Sequence, residues 1–200
     1  MIDINNLSNL LNLVKRERLL ETFFSLVKIK SPSKNEKEIV DFVEKELRRL
    51  GLKVYRDNCG KKFGSNAGNL VAIYDRNILI GEDPVFVCAH LDTVYVEGDI
   101  IPAIKDGKII NSNRRTILGA DDKVAVASIL ECLKIIIERN IRVRETCLIF
   151  TISEESGLLG AKNLDISKVN PEMGFVFDGG GRIGTIITKA PYQNSIYANF

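Results

Sequence analysis

Three short runs constrain the fold of this chain more than anything else in it. Val85-Phe-Val-Cys-Ala89, Thr146-Cys-Leu-Ile-Phe-Thr-Ile152 and Gly174-Phe-Val-Phe177 are apolar almost throughout. A strand with one wet face alternates apolar and polar residues, so an unbroken apolar run belongs to a strand covered on both faces. Between the first two runs, residues from about 122 to 139 place Val124, Ala127, Ile129, Leu130, Leu133, Ile136 and Ile137 at helical spacing. Buried strands alternating with helices predict an α/β sheet sandwiched between helical layers.

The flanking sequence fits that frame. Residues 15–28 read as a helix with Leu19, Phe23, Leu26 and Val27 on one side, ending before Ser31-Pro32. Ser33-Lys-Asn-Glu36 has the spacing of a capping box and predicts a helix start, after which Ile39, Phe42, Val43, Leu47 and Leu50 form a stripe closed by Gly51. Residues 52–55 and 69–74 read as strands around a polar, Gly-rich loop. Ile101 to Ile110, with Asp106-Gly107 near its centre, reads as a hairpin. Residues 1–14 are apolar but punctuated by asparagines and have no basic leader, which fits an N-terminal extension better than a signal peptide.

Several functional classes fall away on composition. With 45% hydrophobic residues and a net charge of +2, the 200-residue chain is no disordered segment. It has no apolar run of about 18 residues, which excludes a membrane-spanning helix. Basic residues are scattered among acids, which argues against a nucleic-acid partner. Cys59, Cys88, Cys132 and Cys147 form no Cys-x-x-Cys pair, and reduced thiols in a cytoplasmic protein are expected.

Each buried run ends in residues able to hold a metal. The first leads into His90-Leu-Asp92. Residues two apart in extended chain share a face, so Asp92 can orient His90; alone, such a pair is more often structural. Asp121-Asp122 opens the long helix, where either aspartate can simply be an N-cap, or one can cap while the other ligates. Glu154-Glu155 follows the second run and in isolation reads equally as a solvated acidic loop. Asp178 closes the third run and, ahead of three glycines, reads alone as a turn residue. Together they say more. Sites in open α/β sheets form at the carboxyl ends of strands. Gathered there, Asp92, Asp121, Glu154, Glu155 and Asp178 would repel one another unless cations intervene. Oxygen ligands with a single imidazole, His90 being the only histidine, suit zinc, with cobalt or manganese as alternatives.

Cys88-Ala-His-Leu-Asp-Thr-Val94, Gly119-Ala-Asp-Asp-Lys123, Ser153-Glu-Glu-Ser-Gly157 and Phe177-Asp-Gly179, in this order, resemble the dizinc metallopeptidases that include peptidase T, carboxypeptidase G and aminoacylase. Thr116-Ile-Leu-Gly-Ala-Asp-Asp-Lys123 is most similar to the peptidase T branch, and Pro191-Tyr-Gln-Asn194 more weakly so. The resemblance implies a three-layer α/β/α sandwich and two divalent cations. His90 and Asp178 would hold one cation, Glu155 the other, and Asp121 would bridge them. Asp92 would orient His90, Glu154 would be the general base, and a cis peptide would follow the bridging aspartate. It implies hydrolysis of amide bonds in short peptides; action on N-acyl amino acids is an alternative, as is a non-catalytic metal-binding remnant. Family members are longer. Their lid, a route to a homodimer, is inserted before the catalytic domain resumes, and the returning half supplies a further histidine. On this reading residues 15–190 are the amino-terminal part of an incomplete catalytic domain, and 191–200 begin the lid.

Overall fold

The computed structural model describes residues 7–169 and 171–189. The first six residues of the expected extension and the expected start of a second domain at 191–200, including Pro191-Tyr-Gln-Asn194, lie outside the described residues. The helices are α1 (Leu7–Leu11), α2 (Arg16–Lys28), α3 (Lys37–Arg49), α4 (Lys123–Glu138) and α5 (Leu159–Lys162). The strands are β1 (Lys53–Arg56), β2 (Leu70–Tyr74), β3 (Val85–His90), β4 (Pro102–Lys105), β5 (Lys108–Asn111), β6 (Thr146–Thr151) and β7 (Met173–Val176).

The main sheet has the order β1-β2-β6-β3-β7. The three strands read as buried runs, β6, β3 and β7, are its parallel part; β1 and β2 add antiparallel partners. Side chains alternate across the pleat. Leu70, Ala72, Tyr74, Ala89, Leu148 and Phe150 face a layer built from α2, α3 and α4. Val71, Phe86, Cys88, Cys147 and Ile149 face the opposite way, under Leu164 and Val169. Among the described residues that second layer is thin, and Phe175 of β7 is half exposed. The core is therefore one-sided, with α4 as its spine: Val126, Ala127, Leu130 and Leu133 are buried. Truncating Leu130 to Ala would cost about 2–5 kcal/mol.

The hairpin is β4–β5, closed by Asp106-Gly107 with both residues at positive φ (51° and 72°), as a two-residue type I′ turn requires. The end of α3 is also as expected. Gly51 adopts φ 78°, its N–H reaches the Arg48 carbonyl and the Leu52 N–H reaches that of Leu47, which completes a Schellman motif.

The capping box does not form. Lys34 sits at φ 74°, outside helical geometry, and α3 starts later, at Lys37, whose N–H is taken by Asn66 Oδ1 at 2.9 Å. The Ser33 hydroxyl and the Glu36 carboxylate are instead drawn to Asp92 and Ser153. Partners far along the chain outcompete the local pairing that the spacing suggests.

Candidate metal centre

The parallel strands β3, β6 and β7 end on one edge of the sheet, and the residues singled out above meet there. His90 is the last residue of β3, and Leu91 N–H donates to the Thr151 carbonyl at 2.9 Å, so β3 and β6 stay in register up to the site. Segment 31–33 runs beside 91–93: Thr93 N–H donates to the Ser31 carbonyl and the Ser31 hydroxyl to the Leu91 carbonyl, both at 2.9 Å. Asp121 precedes α4, Glu154 and Glu155 lie in the loop after β6, and Asp178 follows β7. The Asp121–Asp122 peptide is cis.

Two overlapping donor sets result. His90, Asp121 and Asp178 each offer a ligand atom within 4.8 Å of one another, and so do His90, Glu154 and Glu155. His90 Nε2 lies 3.2 Å from Asp121 Oδ1, whose side chain is 74% exposed and projects into the opening. On the other side of the ring, His90 Nδ1 is buried without a hydrogen-bond partner and points at Asp92 Oδ1, 3.5 Å away.

Asp92 is fully buried and does more than face the imidazole. Its Oδ1 accepts the Glu154 N–H at 2.8 Å; its Oδ2 accepts the Glu155 N–H at 3.1 Å and the Ser33 hydroxyl at 2.6 Å. Burial alone would raise its pKa, but the facing His90 imidazole, the Ser33 hydroxyl and the Glu154 N–H outweigh it and hold the carboxyl below its usual range. The carboxylates on the open side behave oppositely. Burial, then repulsion from Asp178 and their acidic neighbours, raises the pKa of Glu154 and Glu155, although His90 opposes this. Burial opposes a charge on His90 itself, but Asp92, Asp122 and Glu154 raise its pKa to about 9.

The second aspartate of the pair is not a conventional cap. Asp122 occupies the N-cap position of α4, yet its side chain caps nothing there; Oδ2 accepts the His90 N–H at 3.3 Å. Buried beside Asp178 and Asp121, it has a pKa pushed up to about 8. Lys123 is fully buried and reaches the Ile29 carbonyl at 2.6 Å, tying the start of α4 to the end of α2; burial lowers its pKa to about 8.

Sequence reasoning missed the supports under the loop 153–157. Asn69 is fully buried. Its Nδ2 donates to Asp57 Oδ2 (2.8 Å) and to the Gly160 carbonyl (3.0 Å), and its Oδ1 accepts the Ile152 N–H (3.1 Å). Glu36, read as a capping residue, is fully buried beside Ser153. A charged residue placed ahead of an amphipathic helix gives no hint of such a role; only the pairing of distant segments does.

The donor set fits divalent cations: one imidazole and several carboxylates, crowded enough to raise one another's pKa, with no thiolate among them. An α/β sheet of this kind is also the fold of the peptidases on which the chain superposes. The chain belongs to peptidase family M28, whose family model matches residues 69–188. It is 36% identical over 186 residues to YqjE of Bacillus subtilis, an uncharacterized protein, covering 93% of this chain and 49% of that one. It superposes on aminopeptidase PepT from Bacillus cereus with a TM-score of 0.82 at 37% identity, covering 86% of this chain and 46% of PepT. For a tripeptidase from Staphylococcus aureus the TM-score is 0.79 at 35% identity, over 84% and 45% of the two chains. The chain thus spans about half the length of the relatives it matches.

Proposed function

We propose that the chain forms the amino-terminal part of a metal-dependent peptidase that hydrolyses amide bonds in short peptides. The observation that carries this reading is the meeting of His90, Asp121 and Asp178 within 4.8 Å, beside Glu154 and Glu155, on one sheet edge. In this reading His90 and Asp178 would hold one cation and Glu155 the other, with Asp121 available to both. Two divalent ions, zinc first and cobalt or manganese as alternatives, would lower the pKa of a water and polarise the scissile carbonyl when bound.

The remaining work belongs to the chain's own groups. Asp92 faces Nδ1 of the imidazole, which directs Nε2 toward Asp121 and the opening. Through its hydrogen bonds to the Glu154 and Glu155 N–H groups, the same carboxylate fixes the loop that carries both glutamates. Glu154 takes a proton from the attacking water and delivers it to the leaving amine. The tripeptidase and aminopeptidase names of the two superposed relatives support short peptides as the substrate class.

The test is a tripeptide hydrolysis assay on the longest natural form of the protein, with metal content measured alongside. Glu154→Gln should retain its metal and lose at least about 10²-fold in turnover. Loss of metal would make Glu154 a ligand, and an unchanged rate would remove it from the chemistry.

A further inference from the structure

Glu36 is a fully buried carboxylate that pairs with no lysine, arginine or histidine among the described residues. An unpaired buried charge is costly unless hydrogen bonds surround it. Here three do. Oε1 accepts the Lys34 N–H at 2.7 Å and the Ser153 hydroxyl at 2.6 Å; Oε2 accepts the Ser65 hydroxyl at 2.7 Å. Ser153 is itself fully buried, and its Oγ accepts the Lys34 N–H at 3.2 Å.

The consequence lies one residue further on. Ser153 adopts φ 52°, a left-handed conformation that a non-glycine residue holds only when its surroundings impose it. That turn redirects the chain out of β6 and brings Glu154 and Glu155 over His90. Asp92 grips the loop from the far side, at the 154 and 155 N–H groups. Glu36 grips the near side, at the hinge residue's side chain.

We propose that Glu36 is a positioning residue for the general base, acting through Ser153: it holds the left-handed hinge from which Glu154 projects. The assignment rests on Glu154 being the base. What Ser153 needs from position 36 is a hydrogen-bond acceptor rather than a charge. Glutamine keeps that acceptor and can donate its amide to Ser65, whose hydroxyl turns from donor to acceptor. Alanine keeps neither.

Amide hydrogen exchange on the chain, read residue by residue, tests the clamp without requiring turnover. Glu36→Ala should speed exchange at the Glu154, Glu155 and Gly157 N–H groups by about tenfold, with the interiors of β6 and α4 unchanged. Glu36→Gln should stay close to the parent, and so should Ser65→Ala, which touches the same carboxylate but not the loop. In the peptidase assay, Glu36→Ala should lower kcat by about tenfold at unchanged KM and metal content, with Glu36→Gln restoring it. Unchanged exchange in Glu36→Ala would overturn the proposal. So would a uniform rise through β6 and α4, or a Ser65→Ala effect on the loop as large as that of Glu36→Ala; either would make Glu36 a packing element only. If exchange responds as expected but Glu154→Gln keeps full activity, the clamp stands and the base assignment falls. If Glu154→Gln is inactive while Glu36→Ala changes neither exchange nor kcat, the reverse holds.

Discussion

Replacing Asn69 with alanine should be among the most damaging single changes in this domain, and the structure gives the size of the effect. The Asn69 amide closes the base of the loop between β6 and α5 on both sides, at Ile152 and at Gly160. Truncation leaves the Ile152 N–H with no acceptor, and an orphaned buried donor costs about 1–3 kcal/mol. It strips Oδ2 of Asp57, a buried carboxylate, of its 2.8 Å amide donor, which costs about as much or more. The Gly160 carbonyl suffers less, because the Asn163 N–H still reaches it at 3.1 Å. With the small void left by the missing amide, the expected loss is about 3–5 kcal/mol, a large part of the roughly 5–15 kcal/mol of a typical domain. Urea unfolding followed by circular dichroism should show the midpoint fall by that amount divided by m, with m unchanged. Asn163→Ala is the matched control: it removes one 3.0 Å bond to the Leu159 carbonyl from a half-buried site and should cost about 1 kcal/mol. If Asn69→Ala costs no more than Asn163→Ala, the amide is not what closes the loop, and the account of its support is wrong.

The other expectations follow from the same geometry. Zinc or cobalt titration of the chain should show one tight site that disappears in the His90→Ala/Asp178→Ala double variant; equal binding by both proteins would remove these residues from the metal shell. A second cation should bind more weakly, because His90 is the only imidazole and catalytic zinc keeps about three protein ligands; two equally tight sites in calorimetry would contradict this. Gly160→Ala should unfold the chain or displace its loop, since the added Cβ would lie 2.1 Å from the Ile152 carbonyl oxygen and 2.6 Å from Asn69 Oδ1; a parent-like melting temperature would show that the loop closes less tightly than the structure has it.

How much of the structure is legible in the sequence depends on whether the information is local. The apolar runs of β3 and β6, the α4 periodicity and the Asp106-Gly107 turn are local patterns with one dominant physical reading, and each forms within a residue or two of its expected bounds. The six carboxylate and imidazole positions were legible for a related reason: each ends or follows a strand, or opens a helix, and strand ends of a parallel sheet converge. Ser33 and Glu36 show where this fails. Their spacing satisfies a local rule, yet the structure uses both side chains elsewhere, because Asp92 and Ser153 offer them buried partners. Asp122 fails in the same way: it stands at the N-cap but serves the His90 N–H. No window of neighbouring residues contains those partners.

The same distinction separates two aspartates that look equivalent in the sequence. Asp92 and Asp178 each follow an apolar run, and either could be proposed as a ligand. Their hydrogen bonds differ. Asp92 accepts from the Ser33 hydroxyl and two backbone N–H groups and faces the imidazole, so its oxygens are already met by protein donors. Among the described residues no hydroxyl or N–H other than that of His90 reaches the side chains of Asp121, Glu154, Glu155 or Asp178. Four acidic side chains therefore stand open around one imidazole, an arrangement in which their charges repel one another. Water can solvate such a cluster only while it stays open; a peptide closing over it would strip that water away and strengthen the repulsion. Two divalent cations would reverse the balance, so substrate binding and metal binding at this edge should be mutually reinforcing. A non-hydrolysable peptide analogue should therefore bind measurably more tightly in the presence of zinc than after chelation, and equal affinity in both conditions would place the peptide elsewhere on the molecule.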